Sequence, residues 1–379
     1  MKFRTRAIHV GSEPDATTGA VVPPIHMATT FIQPGAGEWG KFDYSRSGSP
    51  TRANVERTLA DLESGCGALA FSSGMAATHA ATMLLRSGDH LLASSDIYGG
   101  TYRLLHKICD RSGVRVSLAP IDDLERLEAA ITPQTKMVWI ESIGNPLMSI
   151  PDIQALAEIA HRHGAWLGVD STFASPVIIR PLEHGADICM HSATKYLGGH
   201  SDCLSGVLVA REEKLFKDLY FIQNATGAVL SPLESFLLAR GLKTLDLRVR
   251  EQSRSALQIA QWLQQHPKVT RVLYPGLPDH PQHALAARQF GGLFGAMISF
   301  EIDGDYTATK RVCETTKLFG LAVSLGAVES LIEQPASMSH ASYAPEDRLR
   351  FGIRDSLIRI SVGLEDPQDL IEDLAQAIG

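Results

Sequence analysis

Short apolar runs alternate with helix-like stretches through the middle of the chain, from about residue 60 to residue 212. Continuous apolar runs of this length are typical of strands that are buried on both faces, and the stretches between them have the spacing of helices. The predicted strands are Gly67–Phe71, His90–Ala93, Val114–Leu118, Met137–Ile140, Trp166–Val169, Asp187–Met190 and Gly206–Val209. The predicted helices are Ala76–Arg86, Thr101–Arg111, Asp122–Ala130 and Ile153–His163.

This alternation predicts an α/β fold with a mainly parallel, seven-stranded sheet between two layers of helices. A long helical pattern from about Leu233 to Gln265 leads to a smaller C-terminal α+β unit, with strands expected at Val269–Leu273, Ala296–Glu301 and Leu357–Ser361. Residues 1–60 are rich in Gly, Pro, Ser and Thr and predict an extended arm with little core of its own. We therefore expect an arm over 1–60, a large domain over 61–240 and a C-terminal domain over 241–379.

The composition is that of an ordinary globular protein, and it argues against two classes of function. The 379 residues are 44% hydrophobic and 20% charged, which suits a large core and two domains. The net charge of −7 comes without any basic run, so we expect no nucleic-acid partner. No stretch reaches the ~18 apolar residues of a membrane span, and we expect no secretory signal. The five cysteines contain no C-x-x-C pair, which favours reduced thiols and a cytoplasmic location.

The segment His191–His200 carries the strongest chemical signal. Within it, Lys195 is flanked by the small hydroxyl residues Ser192 and Thr194 and is followed by two glycines. A lysine after a strand, ringed by small hydrogen-bond donors, suits a Schiff base to an aldehyde cofactor that carries a phosphate. Taken alone, the segment leaves a solvated surface lysine as the alternative. The sequence has no H-E-x-x-H motif, and we expect no metal.

Two further strand ends suit the phosphate and the ring of such a cofactor. The run Phe71–Ala77 passes from a strand through Ser73, Gly74 and Met75 into a helix, whose N-terminal amides and dipole attract a phosphate. The alternative is a plain strand-to-helix turn. Asp170 ends an apolar strand, where a buried carboxylate needs a partner. A protonated pyridine nitrogen would serve, since the pairing makes the ring a better electron sink; a helix cap is the alternative.

Two more side chains suit an aromatic ring and a carboxylate. Tyr98 follows the predicted strand His90–Ala93, where it would either stack on an aromatic cofactor or pack locally. Arg359 lies between two isoleucines within the predicted strand Leu357–Ser361. A guanidinium in such a strand needs an anion, which is either a substrate carboxylate held by a bidentate fork or the partner of an internal salt bridge.

Taken in order, these segments resemble the Cys/Met-metabolism family of pyridoxal-phosphate enzymes nearly from end to end. The resemblance implies an aminotransferase-like (fold type I) architecture, pyridoxal 5'-phosphate as cofactor and a small sulfur amino acid as substrate. It also implies a homotetramer, a dimer of dimers with active sites shared between subunits. The motifs that carry it are Tyr44-Ser-Arg-Ser-Gly-Ser-Pro-Thr51, Ser73-Gly-Met75, Tyr98-Gly-Gly100, Asn145-Pro146, Asp170-Ser-Thr-Phe173, Ser192-Ala-Thr-Lys195, Tyr274-Pro-Gly-Leu-Pro278, Ser324-Leu-Gly326 and Arg359.

The resemblance further implies a role for each site residue. Lys195 would carry the cofactor as a Schiff base and shuttle protons, and Asp170 would hold the pyridinium nitrogen. Tyr98 would stack on the ring and assist proton transfer as a second catalytic residue. The residues implied for the phosphate are Ser73, Gly74, Met75, Ser192 and Thr194, with Tyr44 and Arg46 reaching in from a neighbouring subunit. Those implied for the substrate carboxylate, the cofactor hydroxyl or the distal substrate end are Asn145, Val323, Ser324 and Arg359.

Within the family, the sequence looks most like the branch that cleaves L-cystathionine at Cγ–S to cysteine, 2-oxobutyrate and ammonia. Gly100 stands where methionine γ-lyases typically carry a cysteine, which argues against that branch. Val323 stands where many γ-lyases and γ-synthases carry a glutamate, which leaves room for homocysteine or cysteine as substrates, with release of hydrogen sulfide. γ-Replacement is the next expectation and β-cleavage follows it. From another class, a catalytically silent binding scaffold on the same fold is the alternative.

Overall fold

The computed structural model describes residues 1–341 and 345–379 and contains two β-sheets. The first sheet has seven strands in the order β1-β7-β6-β5-β4-β2-β3. Strands β2 to β6 are parallel to one another, whereas β7 is antiparallel to both β6 and β1. The predicted α/β fold with its mainly parallel seven-stranded sheet is therefore confirmed. The strands are β1 (Gly67–Phe71), β2 (His90–Ser94), β3 (Arg115–Ala119), β4 (Thr135–Glu141), β5 (Trp166–Asp170), β6 (Ile188–His191) and β7 (Gly206–Ala210).

Helices cover both faces of this sheet. Alternate residues of each strand belong to separate apolar clusters; in β2, Leu92 packs in one cluster and Leu91 in the other. Burial on both faces explains why the strands read as continuous apolar runs. The helices are α1 (Phe3–His9), α2 (Pro50–Leu62), α3 (Gly74–Thr82), α4 (Gly99–Leu104), α5 (Leu124–Ala129), α6 (Ile153–Arg162), α7 (Ser175–Ile178) and α8 (Glu213–Thr226).

The first 60 residues contain two helices that their composition did not predict. Helix α2 begins behind Ser49, whose side chain accepts a hydrogen bond from the backbone N–H of Arg52, as an N-cap does. Its Val55 is fully buried and adds to the core beside the first sheet. Between α1 and α2 the chain is extended and leaves large apolar side chains exposed, among them Ile32 and Trp39.

The second sheet has five strands in the order β10-β11-β12-β9-β8. Its strands are β8 (Val269–Leu273), β9 (Met297–Ile302), β10 (Gly320–Leu321), β11 (Leu331–Glu333) and β12 (Leu357–Ser361). The sequence did not predict β10 and β11, which are too short to show an alternation. The helices of this part of the chain are α9 (Pro232–Leu242), α10 (Leu245–Gln265), α11 (His283–Phe290), α12 (Tyr306–Thr315), α13 (Pro345–Arg350) and α14 (Pro367–Ile378).

The single long helix expected over Leu233–Gln265 is two helices, α9 and α10, which are separated at Lys243 and Thr244. Helix α10 packs on β8, β9 and α14 on one side and contacts α1 and α7 on the other. It therefore joins the unit around the first sheet, called here the large domain, to the unit around the second sheet, called the small domain. The expected boundaries at residues 60 and 240 and the cytoplasmic location stay predictions. Within the described residues, no helix has the length and apolarity needed to cross a bilayer.

Candidate active site

A cavity of about 220 Å³ lies at the carboxyl ends of β4 and β5, and both domains line it. This is the edge at which ligands bind in open α/β sheets. The two residues of the site that the arm was expected to supply, Tyr44 and Arg46, lie elsewhere. All the other predicted site residues line the cavity, namely Ser73, Gly74, Met75, Tyr98, Asn145, Asp170, Ser192, Thr194, Lys195, Val323, Ser324 and Arg359.

Lys195 lies in the turn that follows β6, and its Nζ donates a hydrogen bond to the Oγ of Ser324 at 2.6 Å. Burial lowers the pKa of the Lys195 amine to about 8, helped by the positive charge of Arg359 and opposed by Glu333. An amine with this pKa is unprotonated in a large fraction of molecules near pH 8, so it is available as a nucleophile or a base.

Asp170 ends β5, and one of its oxygens is held in place by Thr172. The Oδ1 atom accepts from the backbone N–H of Thr172 at 3.0 Å and from its hydroxyl at 2.5 Å. The Thr172 hydroxyl oxygen in turn accepts from the backbone N–H of Ser192 at 2.8 Å. Burial raises the pKa of Asp170 despite these bonds, so a cation in the cavity would relieve the cost of its charge. No sequence pattern predicts the bond between Thr172 and Ser192, which are 20 residues apart.

The beginning of α3 forms a cradle for an anion. Ser73 is the N-cap of α3, and its side chain accepts from the N–H of Ala76 at 3.1 Å. A Cβ placed on Gly74 would lie 2.8 Å from the Cβ of Ser192, so only glycine allows the beginning of α3 to come this close to Ser192. The free amides and the dipole of the helix attract negative charge to this point. The hydroxyl of Thr194, by contrast, both donates to and accepts from the backbone of Ser205.

Tyr98 lies at the beginning of α4 and is fixed through its backbone. Its N–H donates to Oε1 of Glu141 at 2.5 Å, while its ring remains partly exposed in the cavity. A Cβ on Gly100 would lie 2.3 Å from this ring. Burial, then the neighbouring charge of Asp170, raise the pKa of Glu141 well above its usual range. Sequence reasoning missed Glu141, although a carboxylate at the end of a predicted apolar strand was the signal that singled out Asp170.

Arg359 lies in β12 and makes the internal salt bridge that the sequence left open as an alternative. Its guanidinium lies 3.0 Å from Oε1 of Glu333, the residue that faces it in β11, and it donates to Oδ1 of Asn145 at 2.8 Å and to the Ser324 carbonyl at 3.4 Å. Because the guanidinium also lines the cavity, the pair fixes it there. Glu333 also accepts from the hydroxyl of Ser339 at 2.6 Å.

Ser324 has backbone φ of +145°, a value that residues with a side chain rarely adopt. Strain of this kind persists only where the surroundings enforce it. Here the Oγ of Ser324 accepts from Lys195, and its carbonyl accepts from Arg359. The strained residue therefore connects the cavity's amine with its guanidinium.

Tyr44 and Arg46 lie outside the cavity of their own chain. Arg46 donates through Nε to Oδ1 of Asn224 at 3.3 Å, and its Cζ lies 5.5 Å from the centroid of the Tyr44 ring. Tyr44 is 45% exposed. Within one chain, these two side chains form a surface cluster apart from the residues that line the cavity.

This chain is similar in fold and in sequence to known proteins over nearly their whole length. Residues 4–379 match the family described as Cys/Met metabolism PLP-dependent enzyme. A cystathionine beta-lyase of Coxiella burnetii is 50% identical over 99% of this chain and 97% of that protein. A cystathionine gamma-synthase of Mycobacterium tuberculosis is 49% identical over 99% of this chain and 96% of that protein. A crystal structure of cystathionine gamma-lyase from Lactobacillus plantarum complexed with L-serine has a TM-score of 0.96 and 45% identity, covering 100% of this chain and 98% of that one.

Proposed function

Because the chain belongs to the Cys/Met-metabolism family of pyridoxal-phosphate-dependent enzymes, we propose that it is a carbon–sulfur lyase that cleaves L-cystathionine at Cγ–S. The products are cysteine, 2-oxobutyrate and ammonia, and the same site accepts homocysteine or cysteine with release of hydrogen sulfide. The observation that carries the proposal is the joint placement of Lys195 and Arg359 in one cavity with Val323 in its wall. The guanidinium suits the carboxylate of an amino acid, the amine suits the aldehyde of a cofactor that takes up the amino group, and the apolar wall suits the sulfur-bearing side chain.

The side chains of the cavity fit pyridoxal 5'-phosphate. The Lys195 amine, with a pKa of about 8, suits the aldehyde, and the amides at the beginning of α3 suit the phosphate. Asp170, whose pKa is raised by burial, suits a cationic pyridine nitrogen. The absence of a side chain at Gly74 lets the beginning of α3 approach Ser192 closely, since a Cβ there would lie 2.8 Å from the Cβ of Ser192. When bound, the cofactor supplies an electron sink for negative charge at the substrate α-carbon.

Lys195 is the proton carrier of the site. Its pKa of about 8 lets the amine take up and release a proton near neutral pH, which is what a general acid–base group requires. Cleavage at the γ-carbon needs protons to move at both the α- and the β-carbon before sulfur leaves, and a single flexible amine serves both positions. Ser324 holds that amine through the 2.6 Å hydrogen bond. Tyr98, beside the cavity, is placed to stack on an aromatic ring.

Arg359 holds the substrate carboxylate. Asn145 and Glu333 fix its guanidinium through contacts of 2.8 and 3.0 Å, so little side-chain freedom is lost when a ligand binds. A planar guanidinium can donate two parallel hydrogen bonds to the two oxygens of a carboxylate. The amino and carboxylate groups of the substrate are thereby fixed at the inner end of the cavity, and the side chain points away from them.

Val323 and Leu204 are two apolar residues of the wall, and each is 58% exposed. Neither side chain forms an ion pair with the distal ammonium group of cystathionine. Both tolerate a thiol or a thioether. This supports a broad choice of sulfur substrate, in which homocysteine and cysteine are accepted beside cystathionine.

A second copy of the chain completes the site in this proposal. Arg46 and Tyr44 lie outside the cavity of their own chain, and the arm that carries them exposes apolar side chains such as Ile32 and Trp39. Exposed apolar surface of this kind marks a contact with another molecule. The arm reaches the phosphate of a neighbouring subunit within a homotetramer made of two dimers.

Product analysis of the purified, cofactor-loaded protein tests the function. With L-cystathionine, we expect 2-oxobutyrate and cysteine in equal amounts. Pyruvate with homocysteine would mean β-cleavage instead. Formation of cystathionine from cysteine and an activated homoserine ester, faster than cystathionine is cleaved, would mean γ-replacement. A protein that binds the cofactor and turns over none of these substrates would be a silent scaffold.

A further inference from the structure

Two buried polar side chains of α10 lie behind the cavity without lining it. Arg248 is 4% exposed and Gln252 is fully buried, and their spacing of four residues places them on one face of the helix. Neither side chain is among the residues that line the cavity. Each of them reaches a different loop of the site. We call residues 192–199 the lysine loop and residues 323–328 the serine loop.

Arg248 holds the lysine loop. Its Nη1 donates to the carbonyl of Tyr196, the residue after Lys195, at 2.8 Å. Its other two nitrogens donate to the carbonyl of Gly241 at 2.9 Å and to the hydroxyl of Thr244 at 3.0 Å. All three acceptors are neutral, and burial lowers the pKa of Arg248 to about 10. A buried charge held only by neutral groups is costly, which makes an ordinary packing role a poor explanation for it.

Gln252 holds the serine loop. Its side-chain amide donates to the carbonyl of Ala327 at 2.7 Å, three residues beyond Ser324. The two loops also touch directly, since the N–H of Val328 donates to the carbonyl of Gly199 at 3.0 Å. Gly326, at φ +75°, approaches so closely that a Cβ there would lie 2.8 Å from the backbone nitrogen of Tyr196. One face of α10 therefore donates hydrogen bonds to both the lysine loop and the serine loop, close to where the two loops contact each other.

We propose that Arg248 and Gln252 are positioning residues that keep the lysine loop and the serine loop in register, and thereby set the hydrogen bond from Lys195 Nζ to Ser324 Oγ. They act without touching cofactor or substrate. The proposal rests on the role proposed above for Lys195 and not on which sulfur substrate the enzyme prefers.

The effect is measured on Lys195 itself. The Ser324 oxygen accepts a bond from the charged amine and so favours its protonated form. Loss of that bond lowers the pKa of Lys195 below its value in the parent protein. Loss of one such hydrogen bond should lower the pKa by roughly 0.7 of a unit. Arg248→Met and Gln252→Leu should each lower the pKa by about half a unit or more and lower kcat roughly 10- to 100-fold, with a smaller change in KM.

The measurement uses the full-length protein after removal of its cofactor. An amine-selective acylating reagent is applied over a range of pH, and mass spectrometry quantifies the labelling of Lys195. Two variants at exposed positions of the same helix, Arg254→Met and Gln258→Leu, make the same residue changes and should leave the pKa unchanged. Leu263→Ala removes a fully buried side chain of α10; it should lower the unfolding free energy without changing the pKa of Lys195.

Coupling to Ser324 makes the test decisive. Ser324→Ala alone should lower the pKa of Lys195, and adding Arg248→Met to it should lower the pKa no further, since both changes remove the same bond. The proposal is overturned if the pKa of Lys195 is unchanged or increased in Arg248→Met and in Gln252→Leu. It is also overturned if Arg248→Met lowers the pKa by its full amount in the Ser324→Ala background. Gln252→Leu removes no charge and is therefore the milder change. If Arg248→Met fails to fold, the pKa of Lys195 in Gln252→Leu alone tests the proposal.

Discussion

Replacing Arg359 separates two roles that the structure gives to one side chain. Arg359 and Glu333 are 4% and 1% exposed and lie 3.0 Å apart. Arg359→Met leaves the Glu333 carboxylate buried without its partner, which should lower the unfolding free energy by about 3–5 kcal/mol. Arg359→Met with Glu333→Leu removes both charges, and apolar replacement of a buried pair is often close to neutral. The Ser339 hydroxyl loses its acceptor in that double variant, which costs about 1 kcal/mol.

Substrate binding should respond differently from stability. Both variants lack the guanidinium that holds the carboxylate. Loss of one partner of a buried, hydrogen-bonded charge pair costs about 2–5 kcal/mol, which corresponds to a decrease in kcat/KM of roughly 30- to 5000-fold. The double variant should therefore regain most of the stability and none of the catalytic efficiency.

Urea unfolding measures the first quantity, and steady-state kinetics with L-cystathionine measures the second. Spectral titration of the cofactor-loaded protein with L-serine and with ethanolamine, which lacks the carboxylate, shows whether the lost affinity belongs to that group. We expect both variants to bind the two compounds with similar affinity, whereas the parent protein prefers L-serine. If kcat/KM recovered together with stability in the double variant, Arg359 would be structural only, and the assignment of the carboxylate site would be wrong.

Lys195→Ala should abolish turnover and the visible absorption of covalently held cofactor, because no other lysine is among the described residues that line the cavity; an unchanged spectrum would refute the assignment. In the parent protein stripped of cofactor, the rate of cofactor uptake should rise about tenfold per pH unit below a pKa of about 8 and level off above it, since the unprotonated amine reacts. Val323→Glu should raise the efficiency for cystathionine relative to homocysteine, because a carboxylate pairs with the distal ammonium; a constant ratio would exclude this role. Mixing subunits of Arg46→Ala and Lys195→Ala, each nearly inactive, should recover part of the activity, and no recovery in proven mixed oligomers would mean that each site comes from one chain.

The sequence predicted the large domain well because burial on both faces makes each strand a continuous apolar run. Helix α2 was missed because its buried positions are spread among polar residues in a Gly/Pro-rich region. The strands β10 and β11 were missed because two or three residues show no periodicity.

The site was predictable where a local pattern carries the chemistry, as it does around Lys195 and Asp170. It was not predictable where function depends on residues brought together by the fold. Glu333 was not predicted as a site residue because the strand that carries it, β11, was not predicted. Its carboxylate nevertheless fixes the guanidinium of Arg359. Arg248 is 52 residues beyond the Tyr196 carbonyl that it holds, and no spacing rule links the two. Family resemblance supplied several roles that the residues alone left open.

The junction between the two domains passes through the cavity. The large domain contributes Lys195 and Asp170, which suit the cofactor, whereas the small domain contributes Val323 and Arg359, which suit the amino acid. Substitutions in the small domain can therefore alter which substrate is accepted, while the cofactor-binding residues of the large domain stay the same. Substrate specificity can thus change between relatives without a change in the residues that hold the cofactor. Proteins that share about half of their residues with this chain carry the names of a β-lyase and a γ-synthase, as such a division allows.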